Sequence, residues 1–283
     1  MGKFSDILFT ADFDHTLSGP DGSVPQSNID AIRYFIAEGG RFCINSGRSL
    51  ELLRGKLEIV PVNAPCICFN GAACYDYATE TLQYAVPLPD NAPELVQKLL
   101  DLDQDFGIEI QRLDGHYSCR TSGRDTFLRQ QGITPVAATQ DLPLPWLKLA
   151  LCGTDREDVL SGQATPAQDA RMTQLRQQVL ELCGDTCYVV RSLPLLLEIG
   201  SRKSDKGMAA RRLADSLGRR VLVCAGDAPN DLQMLENADI AFVPSDASAQ
   251  MLTLPRVRIT APSGEGCIAD AIAQLEAISP ERR

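Results

Sequence analysis

The sequence predicts an α/β protein with a parallel-sheet, Rossmann-like core and an inserted α+β domain. Three observations support this. Apolar strand-like segments alternate with helical segments at both ends of the chain, whereas the middle contains strands paired around Leu113-Asp114-Gly115, a hairpin turn signal. The chain of 283 residues is long enough for two hydrophobic cores. Strand–helix alternation favours a parallel sheet covered on both faces, and paired strands favour a separate domain.

The elements of the core follow from this alternation. In the first part, strands over 6–13 and 41–46 flank a helix over 28–38. In the last part, apolar runs predict strands at 221–225, 239–243 and 257–260. Helical patterns lie between and after them, at 206–217, 230–237, 247–253 and 265–278. Ligands of such sheets bind at the carboxyl ends of the strands, so those ends are where functional residues are expected.

The middle of the chain defines the insertion. Strands are predicted at 107–112, 116–120, 146–152, 187–192 and 195–200, with helices at 91–103, 123–131 and 166–183. We therefore assign 1–84 and 198–283 to the core and 85–197 to the inserted domain. Two Pro-containing segments are the expected crossings, Pro87-Leu88-Pro89 and Ser192-Leu193-Pro194.

Composition narrows the class of protein. Hydrophobic residues at 44% and charged residues at 23% are typical of globular chains, and 27 basic against 37 acidic residues disfavour a nucleic-acid partner. No signal peptide or membrane span is recognisable, so we expect no membrane partner and a cytoplasmic location. The ten cysteines are spread over a long chain and fit reduced thiols better than disulfides or a zinc site.

Four polar segments occur at predicted strand or helix ends. They are Asp12-Phe13-Asp14-His15-Thr16, Asn45-Ser46-Gly47-Arg48, Lys206-Gly207 and the segment from Gly226 to Asp231. Asp12 and Asp14 are two positions apart, so in an extended chain both side chains point the same way. Two buried carboxylates side by side require a cation between them or an electrophile in front of them. This segment is therefore the predicted reaction centre.

The four segments together resemble the haloacid dehalogenase-like (HAD) hydrolase superfamily, in its Cof-like branch of magnesium-dependent phosphatases. The resemblance covers about 1–85 and 198–283, and three further segments share it: Asn70-Gly71-Ala72, Gly264-Glu265-Gly266 and the strand Leu195–Ile199 that leads to Lys206. The long insertion lies between Ser46 and Lys206. In this family that placement implies a mobile cap that selects the substrate.

The resemblance also implies roles for individual residues. Asp12 is the expected nucleophile that forms an aspartyl-phosphate, Asp14 the general acid and base, and Lys206 the group that neutralises charge. The expected ligands of Mg²⁺ are Asp12, the Asp14 main-chain carbonyl, Asp227 and Asp231. The expected contacts to the substrate are Ser46, Gly47, Arg48 and Asn230, of which Asn230 could also hold the lysine.

Several residues have two interpretations at this stage. His15 stands where the family most often has glycine, and a turn residue is favoured over a substrate contact. Arg48 fits a substrate contact and a surface salt bridge equally well. In the insertion, a solvated strand face is favoured over contacts to the leaving group for Arg112, His116, Arg120 and Arg124. Thr16 is expected to shape the turn, and the lone Trp146 to lie in the cap core.

The favoured function is a phosphatase acting on a small phosphorylated metabolite, with a sugar phosphate as the expected class. A phosphomutase of the phosphomannomutase type is the enzymatic alternative, because it shares these motifs but returns the phosphoryl group to the substrate. A non-catalytic phosphometabolite-binding protein is the third hypothesis, although no key acid or lysine is missing. A P-loop enzyme is excluded because no GxxxxGK[ST] segment is present. The oligomeric state is left open.

Overall fold

The computed structural model describes residues 2–102, 105–153 and 164–278 and divides into two compact units. Unit 1 comprises Met1–Arg48, Leu53–Tyr84 and Asp205–Arg283, and unit 2 comprises Ser49–Leu52 and Ala85–Ser204. The long segment of unit 2 begins at residue 85, the first residue assigned to the insertion from the sequence. Unit 2 also includes the short earlier segment 49–52. The chain returns to unit 1 at Asp205 rather than at the expected residue 198.

The described elements are numbered in chain order. The strands are β1 (Ile7–Ala11), β2 (Arg41–Ile44), β3 (Cys66–Cys68), β4 (Ala73–Asp76), β5 (Thr81–Ala85), β6 (Phe106–Arg112), β7 (Gly115–Arg120), β8 (Val136–Ala137), β9 (Lys148–Gly153), β10 (Cys187–Leu193), β11 (Leu196–Ser201), β12 (Val221–Ala225), β13 (Ile240–Pro244) and β14 (Val257–Thr260). The α-helices are α1 (Gln26–Ala37), α2 (Leu50–Arg54), α3 (Ala92–Leu102), α4 (Gly123–Gln130), α5 (Pro166–Cys183), α6 (Lys206–Ser216), α7 (Leu232–Asn237), α8 (Ala249–Leu252) and α9 (Cys267–Ile278).

Unit 1 contains the predicted parallel sheet. Its strand order is β14-β13-β12-β1-β2, and all neighbouring strands run parallel. Strand β1 lies inside the sheet, between β12 and β2, and is buried along its whole length, as its apolar sequence predicts. Phe9 of this strand packs edge-to-face against Phe35 of α1 and Phe42 of β2, with ring centroids 5.9 Å and 5.5 Å away. The α/β class expected from the sequence is therefore confirmed.

A small second sheet of unit 1 was not predicted. It has the strand order β3-β4-β5, with β3 and β4 antiparallel. A single parallel bridge between Asn45 and Ile67 connects β3 to the end of β2. These strands are short, and β5 is largely exposed, so neither an apolar run nor a clear alternation marks them in the sequence.

Unit 2 is built on a mostly antiparallel sheet with the order β10-β11-β9-β6-β7-β8. The predicted hairpin is confirmed, because β6 and β7 pair with Arg112 opposite Gly115. Its apolar core contains Trp146 together with residues of α3 and α5. Strand β11 pairs with both β9 and β10. This pairing retains 198–201 in unit 2 and makes Ser192-Leu193-Pro194 a connection within the sheet rather than a crossing.

A buried polar cluster of unit 2 corrects the expectation of a solvated strand face. His116 is 2% exposed and lies between Ser49 and Glu109, with Nε2 2.8 Å from Ser49 Oγ and Nδ1 against a Glu109 carboxylate oxygen. Arg124 donates to the other oxygen of Glu109 at 2.9 Å. Arg112 pairs with Asp114, and Arg120 donates to main-chain oxygens of Phe106 and Leu100. His116 and Arg124 thus share the Glu109 carboxylate, and Arg112 and Arg120 are bonded to other protein groups rather than to water alone.

All ten cysteines are free thiols, and all but Cys119 are buried. Burial raises the pKa of several of them, for example that of Cys66 to about 12, and so favours the neutral thiol. Among the helices of the described chain, none has the length and apolar character needed to cross a membrane.

Candidate active site

The carboxyl edge of the parallel sheet brings the predicted segments together. The register places Ala11 at the end of β1 beside Ala225 of β12 and Ile44 of β2. The next residues continue this pairing, because the Asp12 N–H donates to Ala225 O and the Asn45 N–H donates to Ala11 O, both at 2.9 Å. The polar segments that begin at Asp12, Asn45 and Gly226 therefore lie at the same carboxyl edge of the sheet, where ligands of such sheets bind.

A buried lysine and three aspartates form the centre of the site. Oxygens of Asp12, Asp227 and Asp231 lie within 4.8 Å of one another. Lys206, the first residue of α6, donates from Nζ to Asp12 Oδ1 and to Asp231 Oδ1, both at 2.6 Å. Asp205 caps this helix by accepting from the Met208 N–H at 2.8 Å, which fixes the start of the helix and hence the lysine.

Neighbouring groups orient two of these carboxylates. Asp231 Oδ2 accepts from the N–H groups of Asp227 and Ala228, at 3.0 and 3.1 Å. Thr16 Oγ1 donates to Asp227 Oδ1 at 2.7 Å. Thr16 was expected to shape the turn, and its hydroxyl in addition holds the Asp227 carboxylate in place.

The electrostatics of this cluster are unbalanced, because three carboxylates face one ammonium group. Burial, and after it the Asp231 and Asp14 charges, raise the pKa of Asp12 to about 7 against the opposing effect of Lys206. Burial and the charges of Asp231 and Asp12 raise the pKa of Asp227 to about 8. Burial alone would lower the pKa of Lys206, but Asp12 and Asp231 outweigh it and raise that pKa. Full ionisation of the acids therefore needs more positive charge than the lysine supplies.

The residues fit a divalent cation. Asp12 Oδ2 and Asp227 Oδ2 make no hydrogen bond to any residue that the structure describes, and they belong to the one cluster that could hold a metal in that part of the chain. Both oxygens of Asp231 already accept hydrogen bonds, which suits a ligand that acts through water. The donors are carboxylate oxygens without sulfur, the set preferred by hard cations such as Mg²⁺.

Asp14 does not join this cluster. Strand β1 ends at Ala11, and the chain turns into a helical segment at Phe13–Leu17, so Asp12 and Asp14 are not neighbours on one strand face. The Asp14 side chain is 47% exposed and forms a two-bond pair with Arg48, from Nε at 2.8 Å and from Nη2 at 2.7 Å. Burial would raise the pKa of Asp14, but these bonds and the Arg48 charge hold it below its ordinary value.

His15 lies in the same turn with φ of 57°, the left-handed region that glycine adopts most easily. It is exposed, and within the described chain no hydrogen bond of its side chain is seen. The backbone conformation accounts for the glycine usual in the family and agrees with the interpretation as a turn residue.

The second segment forms a tight loop. Ser46 is buried, its N–H donates to Ile67 O at 2.9 Å, and its Oγ accepts from the Arg48 N–H at 3.2 Å. A Cβ at Gly47 would lie 2.7 Å from Asn70 Oδ1, so a larger residue there would have to displace the Asn70 side chain. Asn230 Nδ2 donates to the same Asn70 oxygen at 3.3 Å, rather than holding Lys206. Asn70 was noted in the sequence only as a secondary family feature, and it joins the two loops.

Comparison with known proteins adds independent findings. Residues 9–272 match the family model of the haloacid dehalogenase-like hydrolases. The putative phosphatase YxeH of Bacillus subtilis is 26% identical, covering 95% of this chain and 97% of its own. An uncharacterized hydrolase of Schizosaccharomyces pombe is 22% identical over 99% of this chain and 95% of its own.

Solved structures share the fold. TM0651 of Thermotoga maritima superposes with a TM-score of 0.74 at 21% identity, covering 94% of this chain and 96% of its own. The sugar phosphatase BT4131 of HAD subclass IIB superposes with a TM-score of 0.77 at 17% identity, covering 95% of this chain and 98% of its own.

Proposed function

Because this chain belongs to the haloacid dehalogenase-like hydrolase family, we propose that it is a Mg²⁺-dependent phosphatase of the Cof-like branch, acting on a small phosphorylated metabolite. The observation that carries the proposal is the buried cluster of three aspartates with a single lysine at the carboxyl edge of the sheet. A cation bound there would neutralise the carboxylates and let a dianionic phosphate ester approach Asp12.

In the proposed reaction, Asp12 attacks the phosphorus atom and the ester oxygen leaves. The Asp12 carboxylate is held in place for the attack by its hydrogen bond from Lys206 Nζ to Oδ1. Asp14 protonates the leaving oxygen and then takes a proton from the water that hydrolyses the aspartyl-phosphate. Lys206 stays charged throughout, as its raised pKa indicates, and stabilises the negative charge that develops on the transferring group.

Asp14 needs a proton for the first of these steps, and the pairing with Arg48 opposes protonation. The proposal therefore includes a turn of the Asp14 side chain away from Arg48 when substrate binds. Asp14 is 47% exposed, so such a rotation meets little packing resistance.

The phosphoryl oxygens are proposed to bind at the loop of Ser46 and Gly47. The Ser46 hydroxyl can donate to such an oxygen because it only accepts, from the Arg48 N–H. Its own N–H is engaged with Ile67 and is not proposed as a ligand. Asn230, held by Asn70, is a further donor on the neighbouring loop.

A sugar phosphate is the substrate class we favour, because BT4131 is a sugar phosphatase of similar fold. Unit 2 is proposed to select the leaving group, as caps do in this family. A cytoplasmic location without a nucleic-acid or membrane partner belongs to the same proposal.

The test is phosphate release from a panel of sugar phosphates and an aryl phosphate, with Mg²⁺ or with EDTA. Asp12→Asn should reduce turnover at least about a thousandfold, because the amide is not a nucleophile, without unfolding the protein. Asp30→Asn on the exposed face of α1 is the matched control. Full activity of D12N would contradict the proposal. No release by the wild type unless a sugar bisphosphate is added would favour a mutase.

A further inference from the structure

Two cations of unit 1 lie against the ring of Phe13, the residue between Asp12 and Asp14. Arg48 Cζ is 5.3 Å from the ring centroid, and Lys56 Nζ is 5.6 Å from it. Attraction between a cation and an aromatic ring accounts for each contact separately, but not for two like charges on the same ring. Lys56 has no part in the mechanism above, and sequence reasoning did not single it out.

Both cations have unused capacity for an anion. Arg48 Nη1 is buried and makes no hydrogen bond in the described part of the chain, although the other two nitrogens bind Asp14. A buried, unpartnered guanidinium N–H is unfavourable. The ammonium group of Lys56 has no hydrogen bond or ion pair with any described residue. Burial and then the Arg48 charge lower the pKa of Lys56 against the opposing effect of the Asp14 charge, so Arg48 and Lys56 repel each other. An anion bound between them would supply the missing acceptor and relieve this repulsion.

The position of the cations indicates which part of a substrate they meet. Lys206 is bonded to Asp12, whereas Arg48 is bonded to Asp14 through Nε and Nη2. Lys56 lies against the same Phe13 ring as Arg48. Arg48 and Lys56 thus belong to the Asp14 side of the site. Asp14 is the proposed donor to the leaving oxygen, so a group bound beside it is part of the leaving group rather than the transferred phosphoryl.

We propose that Arg48 and Lys56 bind a second anionic group, a carboxylate or a further phosphate, on the leaving group of the substrate. The inference rests on the proposed phosphatase function and narrows the substrate to phosphate monoesters that carry another anion. The unpartnered Nη1 of Arg48 and the Lys56 ammonium can each donate to an oxygen of either group. A chain of net charge −10 needs such local cations to admit a substrate with two anionic groups.

The test compares esters that differ only in the second anion. Phosphoglycolate is paired with hydroxyethyl phosphate, phosphoglycerate with glycerol phosphate, and fructose bisphosphate with fructose monophosphate. For each pair, kcat/KM is measured for the wild type, Lys56→Gln, Lys56→Arg and the control Lys98→Gln on the exposed side of α3. The pairs that differ by a carboxylate and the pair that differs by a phosphate show which second anion the enzyme prefers.

The wild type should prefer the ester with the second anion in at least one pair. K56Q should reduce that preference at least about tenfold through KM, the effect of one lost charged hydrogen bond. K56R should retain the preference, and K98Q should leave every rate unchanged. Thermal unfolding checks that each variant is folded.

Other outcomes separate the two proposals. Hydrolysis without preference in any pair, or equal losses for both members in K56Q, would overturn the second-anion site and leave the phosphatase intact. Equal losses would assign Lys56 to the transferred phosphoryl group. No hydrolysis of any ester by the wild type would contradict the proposed function and this inference together.

Discussion

Each unit of this protein contains a buried ionic cluster, and the two clusters differ in charge balance. In unit 1, three aspartates share one lysine, and the pKa values of Asp12 and Asp227 are raised to about 7 and about 8. In unit 2, Glu109 lies between His116 and Arg124. Burial alone would raise the pKa of Glu109, but Arg124 and His116 lower it to about 2. Burial of charge is common to both clusters and therefore does not distinguish a functional site from a structural one.

The direction of the pKa shift of the carboxylates distinguishes the two clusters. A carboxylate with a lowered pKa already has the cations it needs, and it adds stability to the fold when ionised. A carboxylate with a raised pKa is destabilising when ionised, so the fold retains it at the expense of stability. Functional sites accumulate groups of the second kind. The pKa shifts thus favour a cation site at the aspartate cluster and a structural role for the Glu109 cluster.

The largest expected effect that tests this comparison is on activity. Asp227→Asn retains an oxygen that can accept from Thr16 but loses a charged ligand. Phosphate release with Mg²⁺ should fall at least about a hundredfold, as for a loss of about 3 kcal/mol of transition-state stabilisation. Asp30→Asn is the control.

The same variant should be more stable than the metal-free wild type at high pH. The folded-state pKa of Asp227, about 8, lies above the ordinary value of 3.8, so ionisation removes stability as the pH rises from about 4 to about 8. Calorimetric unfolding in EDTA measures this. A D227N protein that loses stability with pH as steeply as the wild type would contradict the assignment.

A buried ion pair of unit 2 gives the next largest effect. Lys148 and Glu198 are both buried and bonded to each other. Lys148→Met removes the lysine and should destabilise unit 2 by roughly 3 to 5 kcal/mol, because the carboxylate loses its cation in a dry environment. Denaturant unfolding followed by Trp146, the only tryptophan, reports on this unit.

Two controls sharpen that measurement. The double variant Lys148→Met with Glu198→Gln should recover part of the loss, since no buried charge then remains at the pair. Arg33→Met in the exposed Arg33–Asp30 pair should change stability by less than about 1 kcal/mol. Equal losses in R33M and K148M would show that burial does not determine the effect.

The smallest effect is the pH dependence of unit 2. The pKa of Glu109 is about 2 in the folded protein, below its ordinary value of 4.5. The contribution of Glu109 to stability is therefore present above about pH 4.5 and is lost as the pH falls towards 2. The shift corresponds to about 3 kcal/mol at most. Glu109→Gln should unfold earlier at neutral pH and flatten this acid dependence in Trp146 fluorescence. An unchanged acid midpoint in E109Q would argue against the role of Glu109.

The sequence predicted unit 1 better than unit 2, for a physical reason. Asp12, Lys206 and Asp227 follow apolar strands or open a helix, and the ends of parallel strands meet at one edge. Their convergence therefore follows from local patterns. Asp14 departs from this rule because β1 ends at Ala11 and the chain turns before Asp14.

The polar cluster of unit 2 depends instead on pairing between distant strands and helices. Ser49, Glu109, His116 and Arg124 come from four separate segments, and no periodicity links them. In sequence, His116 and Arg124 looked like residues of a solvated hairpin face. Lys56 was overlooked in the same way, because its contact to Phe13 is a tertiary contact without a local signal.

The central claim is that the aspartate cluster binds a divalent cation and the Glu109 cluster does not. Calorimetric titration of Mg²⁺ into the wild type, D227N and E109Q, in two buffers with different heats of ionisation, tests it most directly. We predict one site in the wild type with release of protons at pH 7, because Asp12 and Asp227 are partly protonated there. D227N should bind at least about tenfold more weakly, and E109Q as tightly as the wild type. Equal binding by D227N and the wild type, or no binding by either, would contradict the account.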